Sequence, residues 1–283
     1  MESPRLSVRA EGAALRVRQP GRADRYVPAR LVERAVVWGS VLVDSEAIGL
    51  LLAHGVTVSF VARGGRCLGM AWAPSEALSA AAARIAERRA DPMWVEAYEA
   101  VVTSWVREAR LDLVRREDLA TWTRWIESGF RGRQWEAWRR RILTGGVPEE
   151  AVDLPWRYLK SLVWEAVAGW LLAEGLDPHE GVLEPRRRFG LVREMARPLM
   201  PWIDGAVYWG LRAGLVARGV ERVDGELRLR RAAVRRWTAR FEGDLGWMEQ
   251  DVRRRIHQVV RLAHEWQPDA RAGRPRRRGE VLA

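Results

Sequence analysis

Cysteine is nearly absent from this chain of 283 residues, with Cys67 the only one. A single thiol excludes an internal disulfide and argues against a thiolate zinc site. Its position in the strand-like run CLGMAW suits a small core residue better than a nucleophile. Histidine is scarce: His54, His179, His257 and His264 show no ligand spacing such as H-E-x-x-H, so each reads as a surface or packing residue. No stretch reaches the about 18 apolar residues of a membrane span, and no secretory leader is visible. The expectation is a soluble, cytoplasmic protein with no membrane partner. Lysine is also almost missing, since Lys160 is the single lysine among 48 basic residues.

Arginine fills that gap. The formal net charge is +11 and the isoelectric point lies near 11. Biased base composition explains a choice of Arg over Lys but not an excess of positive over negative charge, so the sign points to a polyanion. Guanidinium forks grip phosphate bidentately, which makes DNA the expected partner. The 16 tryptophans mostly recur at helical spacing, as in Trp122 with Trp125, Trp135 with Trp138 and Trp164 with Trp170. Core packing is their default role.

The pattern along the chain changes once. Leu6–Ala73 holds short β-rich runs (RLSV, ALRVRQ, RYVP, AVVWGSVLVDS, VTVSFVA, CLGMAW) separated by turn residues. From Ser75 onward apolar residues recur every three or four positions, as in Trp94, Tyr98, Val101, Trp105 and Val106. The predicted fold is α+β: a β-rich N-terminal domain at residues 1–74, followed by a larger all-α domain at 75–266. A last helix is expected at about Gly246–Trp266, with Met248, Val252, Ile256, Val259 and Ala263 on one face and Arg254, His257 and Arg261 on another. The tail 267–283, with Arg274, Arg276, Arg277 and Arg278 among Pro and Gly, is expected to be disordered when free.

One stretch is more specific. Gly175–Asp204 reads GLDPHEGVLEPRRRFGLVREMARPLMPWID, and it resembles the CRISPR-associated protein one family, the integrase and endonuclease subunit of spacer acquisition. That family's frame runs G-L-D-P-x-x-G-F-L-H, then about ten residues to S-L-x-x-D-L-x-E, then F-R-P and a late V-D. Gly175, Leu176, Asp177, Pro178, Gly181, Leu183, Leu191, Val192, Pro201 and Asp204 match it. The order of elements in VVWGSVLVDSEAIGLLLAHGVTVSFVARGGRCLG is similar to the family's first domain, where a strand pair leads to a short helix, another strand and a hairpin.

The family's metal ligands are exchanged in this chain. Glu184 stands where the resemblance places a His, Glu194 where it places an Asp, and Arg197 at the second acidic position. A further family Glu precedes a segment matched by Gly129, Gly132, Arg133 and Trp135, so its position falls on Ser128, with Glu127 one residue early. The resemblance implies a divalent cation that activates the attacking oxygen, and a hard cation needs several carboxylates at close range. The degenerate set Ser128, Glu184, Glu194 and Arg197 therefore predicts no catalytic activity and no cofactor. Arg197, three residues after Glu194, is expected to pair with it directly and to form with Glu184 an ion-pair cluster in place of the metal. The alternative is an endonuclease or integrase whose rebuilt site of Glu127, Glu184 and Glu194 holds Mg2+ or Mn2+.

DNA contact is expected at Arg131 and Arg133, at Arg186, Arg187 and Arg188 in the loop after Glu184, and at Arg254 and Arg261 of the last helix. The resemblance also implies a homodimer formed largely through the β-rich domain, and a partnership with CRISPR-associated protein two or with an active integrase paralogue.

Overall fold

The computed structural model describes residues 6–73, 79–116, 148–223 and 225–267. The β-rich part comes first. Strands β1 (Ser7–Glu11) and β2 (Ala14–Arg18) form a hairpin around Gly12, whose positive φ of 59° suits a residue without a side chain. β2 also pairs antiparallel with β3 (Arg25–Pro28), and β1 pairs parallel with β5 (Leu42–Val43). A second sheet has the order β4-β6-β7, from Ala35–Trp38, Val58–Val61 and Cys67–Ala71. Between the sheets runs the short helix α1 (Ser45–Ala53), capped by Asp44, which accepts from the Ala47 amide at 2.6 Å. Leu15, Ala47, Leu51, Val56 and Val58 form the small core of this part.

The helical part comprises α2 (Ala80–Arg88), α3 (Pro92–Arg116), α4 (Glu149–Ala173), α5 (Gly190–Ala196), a 3-10 turn (Arg197–Leu199), α6 (Met200–Arg212), α7 (Leu215–Gly219) and α8 (Arg231–Glu265). α4 is its axis, with Leu159, Leu162, Val163, Val167 and Leu171 fully buried. The expected stripe of α3 is present, with Trp94, Tyr98 and Trp105 buried and Val101 and Val106 partly so. The start of α3 is tied to the end of α8. Asp91 accepts from the Met93 amide with one oxygen and from Trp266 Nε1 with the other, at 2.9 and 2.8 Å, and these bonds hold its carboxyl below the usual range. Arg88 donates to the carbonyls of Ala263 and Trp266.

Two expectations need correction. The helical part is not all-α, because β8 (Val220–Val223) and β9 (Glu226–Leu229) form a hairpin before α8. The last helix begins at Arg231, not near Gly246. It passes through Gly243 and Gly246 because Trp237, Phe241 and Met248 on either side are buried, which outweighs the helix cost of about 1 kcal/mol per glycine. Its apolar face is as expected, with Met248, Val252, Ile256, Val259 and Ala263 all buried.

The two parts meet along α4. Arg34 forms an ion pair with Glu165 at 2.6 Å, and Glu165 is 1% exposed. Burial pushes the Glu165 carboxyl up to about 7 against the pull of Arg34. At Gly65 an added Cβ would lie 2.7 Å from the Tyr158 nitrogen, so only glycine allows this approach, and Ser161 Oγ donates to the Gly65 carbonyl at 2.8 Å. The division expected at residues 74/75 falls on 74–78, and the tail beyond Gln267 likewise lies outside the described residues. Among the described residues no helix is long and apolar enough to cross a membrane.

Candidate active-site cleft

The segment Gly175–Asp204 builds one corner of the helical part, and its matched residues have structural roles that follow from their chemistry. Gly175 has φ +68°, ending the chain's run through α4 and packing against Ser79. Asp177 accepts from the His179 amide at 2.8 Å, a local turn typical of aspartate. Gly181 and Gly190 lie backbone against backbone: a Cβ on Gly181 would sit 2.8 Å from Gly190 Cα and from Glu194 Oε1. This contact brings the turn at Val182–Glu184 against α5. Phe189, which precedes α5, takes a left-handed conformation (φ 59°) that is uncommon without glycine. His179 holds it there, accepting from the Phe189 amide at 3.1 Å and stacking on its ring at 4.8 Å. His179 is therefore a packing histidine, as expected.

Glu194 points inward. It has no exposed surface, and its carboxylate accepts from the amides of Val182, Leu183 and Glu184 at 3.1, 2.8 and 3.1 Å and from Tyr98 Oη at 2.8 Å. Burial, and then the Glu194 charge, push the Tyr98 hydroxyl well above its usual range, so it remains a donor. The expected direct pair between Glu194 and Arg197 is not formed. Helical spacing made it plausible, but α5 is buried on nearly every side, and the carboxylate turns toward the free amides of the neighbouring turn.

Arg197 pairs with Glu184 instead, Nη2 to Oε1 at 3.0 Å. Arg193 and Arg187 approach the other oxygen at 3.2 and 3.6 Å. That second oxygen has ion pairs but no geometrically good hydrogen bond. The corner thus holds two carboxylates with separate partners: Glu194 with neutral donors in the interior, Glu184 with three guanidiniums at the rim.

Glu184 lines a cleft of about 320 Å³ together with Arg193, Arg197, Arg110, Lys160 and Asp204. Lys160 lies over the rings of Trp164 and Trp156 at 4.7 and 5.1 Å, and Arg193 over Trp164 at 5.3 Å. Asp204 accepts from Trp156 Nε1 at 2.9 Å. Among the described lining residues four cations face two carboxylates, an excess that favours an anion over a divalent cation. A cation such as Mg2+ or Mn2+ does not fit the described donors. Glu194 has spent its oxygens on interior groups, Glu184 is surrounded by arginines, and among the described residues no three His, Cys, Asp or Glu come together.

Glu127, Ser128, Arg131 and Arg133 lie outside the described residues. Arg186, Arg187 and Arg188 are exposed in the loop after Glu184. Arg254 and Arg261 are exposed on α8, but Arg254 lines a separate hollow with Trp202, Trp209 and Trp247 and pairs with Asp251 at 2.6 Å. Reading the sequence missed Arg110, Lys160 and Arg193 at the cleft, and Tyr98 as the buried partner of Glu194. The one available signal was Lys160, a lone lysine in an arginine-rich chain.

Residues 1–118 match the family described as CRISPR associated protein Cas1. Among curated proteins none matches the sequence. Among solved structures, a Cas1 protein from Thermotoga maritima shares the fold with a TM-score of 0.74 at 15% identity, over 92% of this chain and 95% of that one. A casposase bound to integration product gives 0.72 at 16% identity, over 93% and 90%. A Cas6-RT-Cas1–Cas2 complex gives 0.69 at 14% identity, over 92% of this chain and 34% of the other. The first 118 residues thus match the Cas1 family model, and the chain shares the fold of a Cas1 protein over 92% of its length.

Proposed function

We propose that this protein is a DNA-binding, integrase-like subunit of CRISPR spacer acquisition, or of a related defence system, in which an ion-pair cluster replaces the metal site and chemistry has been lost. The observation that carries this reading is the fate of the two ligand positions. Glu194 caps a backbone turn from the interior, and Glu184 is held by Arg197, Arg193 and Arg187. A metal would have to displace three guanidiniums from one carboxylate and four donors from the other. The cationic lining of the cleft suits a DNA phosphate in the same place. The exposed loop Arg186–Arg188 stands beside it as a further contact.

Two similar structures support the partners. One is a casposase with its integration product and one is an assembly containing Cas1 and Cas2, so DNA and a Cas2-like protein are the proposed partners; a second copy of this chain and a cytoplasmic location are proposed on the sequence resemblance alone. The test is to incubate the purified protein with branched and blunt DNA, with and without manganese, and to measure binding and cleavage together. Salt-sensitive binding without nicking or strand transfer is expected. Manganese binding at micromolar affinity, or cleavage removed by Glu184→Ala, would overturn the inactive reading.

A further inference from the structure

A second cationic surface crosses the junction of the β-rich and helical parts and shares no lining residue with the Glu184 cleft. A hollow of about 670 Å³ lies between β4, the β8–β9 hairpin and the first turns of α8. Its floor is apolar, with Val36, Val37, Leu229 and Val234, and its rim carries Arg63, Arg228, Arg231 and Arg235. Arg63 and Arg228 also line a second hollow of about 470 Å³, to which Arg66, Arg157 and Arg222 contribute. The two hollows thus form one continuous seam. Glu221, Glu150 and Glu226 are the described acids along it, fewer than half the arginines.

Several of these arginines are held by the protein. Arg157 pairs with Asp153, Arg228 with Glu226, Arg222 donates to the Gly225 carbonyl, and Arg231 to Gln19. Arg63, Arg66 and Arg235 are exposed and have no hydrogen bond or ion pair among the described residues.

We propose that this seam binds the phosphate backbone of double-stranded DNA, giving the protein a second DNA surface besides the Glu184 cleft. The proposal rests on the reading of the chain as a DNA-binding subunit. Guanidiniums along two joined hollows match a run of phosphates, whereas a single nucleotide would occupy one hollow and leave the other uncompensated. A single strand is the poorer match. It needs aromatic platforms for its bases, and Trp38 is the only aromatic among the described lining residues. A protein with two such surfaces can grip one duplex while the cleft holds the end of another.

The test compares the wild type with R63Q/R66Q/R235Q, three exposed positions outside the core, using circular dichroism and the denaturation midpoint to verify folding. Binding of a fluorescent blunt duplex is measured across a salt series. The salt slope is expected to fall by about three, and affinity near 0.1 M salt by tenfold or more. R63K/R66K/R235K should restore most of both. If the wild type binds duplex and the glutamine variant keeps its slope and affinity, the seam is wrong and the DNA-binding reading survives. If the wild type binds neither blunt nor branched DNA, both fall. Loss of polyglutamate binding with DNA binding intact would assign the seam to an acidic protein and overturn the proposal.

Discussion

The cleft at Glu184 and the seam at Arg63 are both rich in arginine, but their arginines face different things. In the cleft Arg187, Arg193 and Arg197 converge on one carboxylate, so much of their charge is spent within the protein. In the seam Arg63, Arg66 and Arg235 have no described partner. Counting basic residues treats the two regions alike; following each guanidinium to its acceptor separates charge that organises a corner from charge left for a ligand.

The strongest way to break this comparison is through the corner's interior. Glu194→Ala leaves three amides and the Tyr98 hydroxyl buried without an acceptor, and each such loss costs about 1–3 kcal/mol. A loss of at least about 4 kcal/mol in urea denaturation is expected. A cost under about 1 kcal/mol would return Glu194 to the candidates for metal ligation.

The next effect concerns the junction that the seam crosses. Burial raises the folded carboxyl of Glu165 from 4.5 to about 7. Below the unfolded value both states are protonated and the contribution of Glu165 to stability is complete. As pH rises from 4.5 through 7 the unfolded chain ionises first, and stability falls by on the order of 3 kcal/mol. Denaturation midpoints between pH 4.5 and 8 should show this decline in the wild type and a flatter profile in Glu165→Gln.

A smaller change sharpens the contrast directly. Glu184→Gln removes the carboxylate that three arginines share, making the cleft resemble the seam. DNA affinity should rise several-fold, with a salt slope steeper by about one. A fall in affinity would mean that these arginines never face DNA. Least affected should be Arg187→Ala, an exposed residue 3.6 Å from Glu184, with a stability change within about 0.5 kcal/mol by thermal denaturation.

The sequence showed the outline because period and punctuation suffice for it. Alternating runs with turn residues placed the strands before residue 72, and the stripe Met248–Ala263 marked the core face of α8. The hairpin at Val220–Leu229 was also legible, since VERVDGELRL alternates around an Asp-Gly turn signal, but it was absorbed into the surrounding helical pattern. The start of α8 was obscured by Gly243 and Gly246, whose local cost is offset by tertiary burial. The orientation of Glu194 could not be read from spacing. An i,i+3 relation puts Arg197 within reach, but the choice depends on Gly181, whose bare backbone brings three amides from another segment. The seam was invisible for a related reason. Its arginines come from positions 63 to 235, while a search for runs selects Arg186–Arg188 and the C-terminal tail.

The bonds that Glu194 makes bear on how relatives of this protein should be compared. A carboxylate that completes the folding of a corner is kept by selection for foldability whether or not a reaction still depends on it. An unbroken acid at this position across many chains would then report inheritance of the corner alone. Descent of the activity would be traced better at position 184, where the side chain faces the cleft, and in the company of guanidiniums around it.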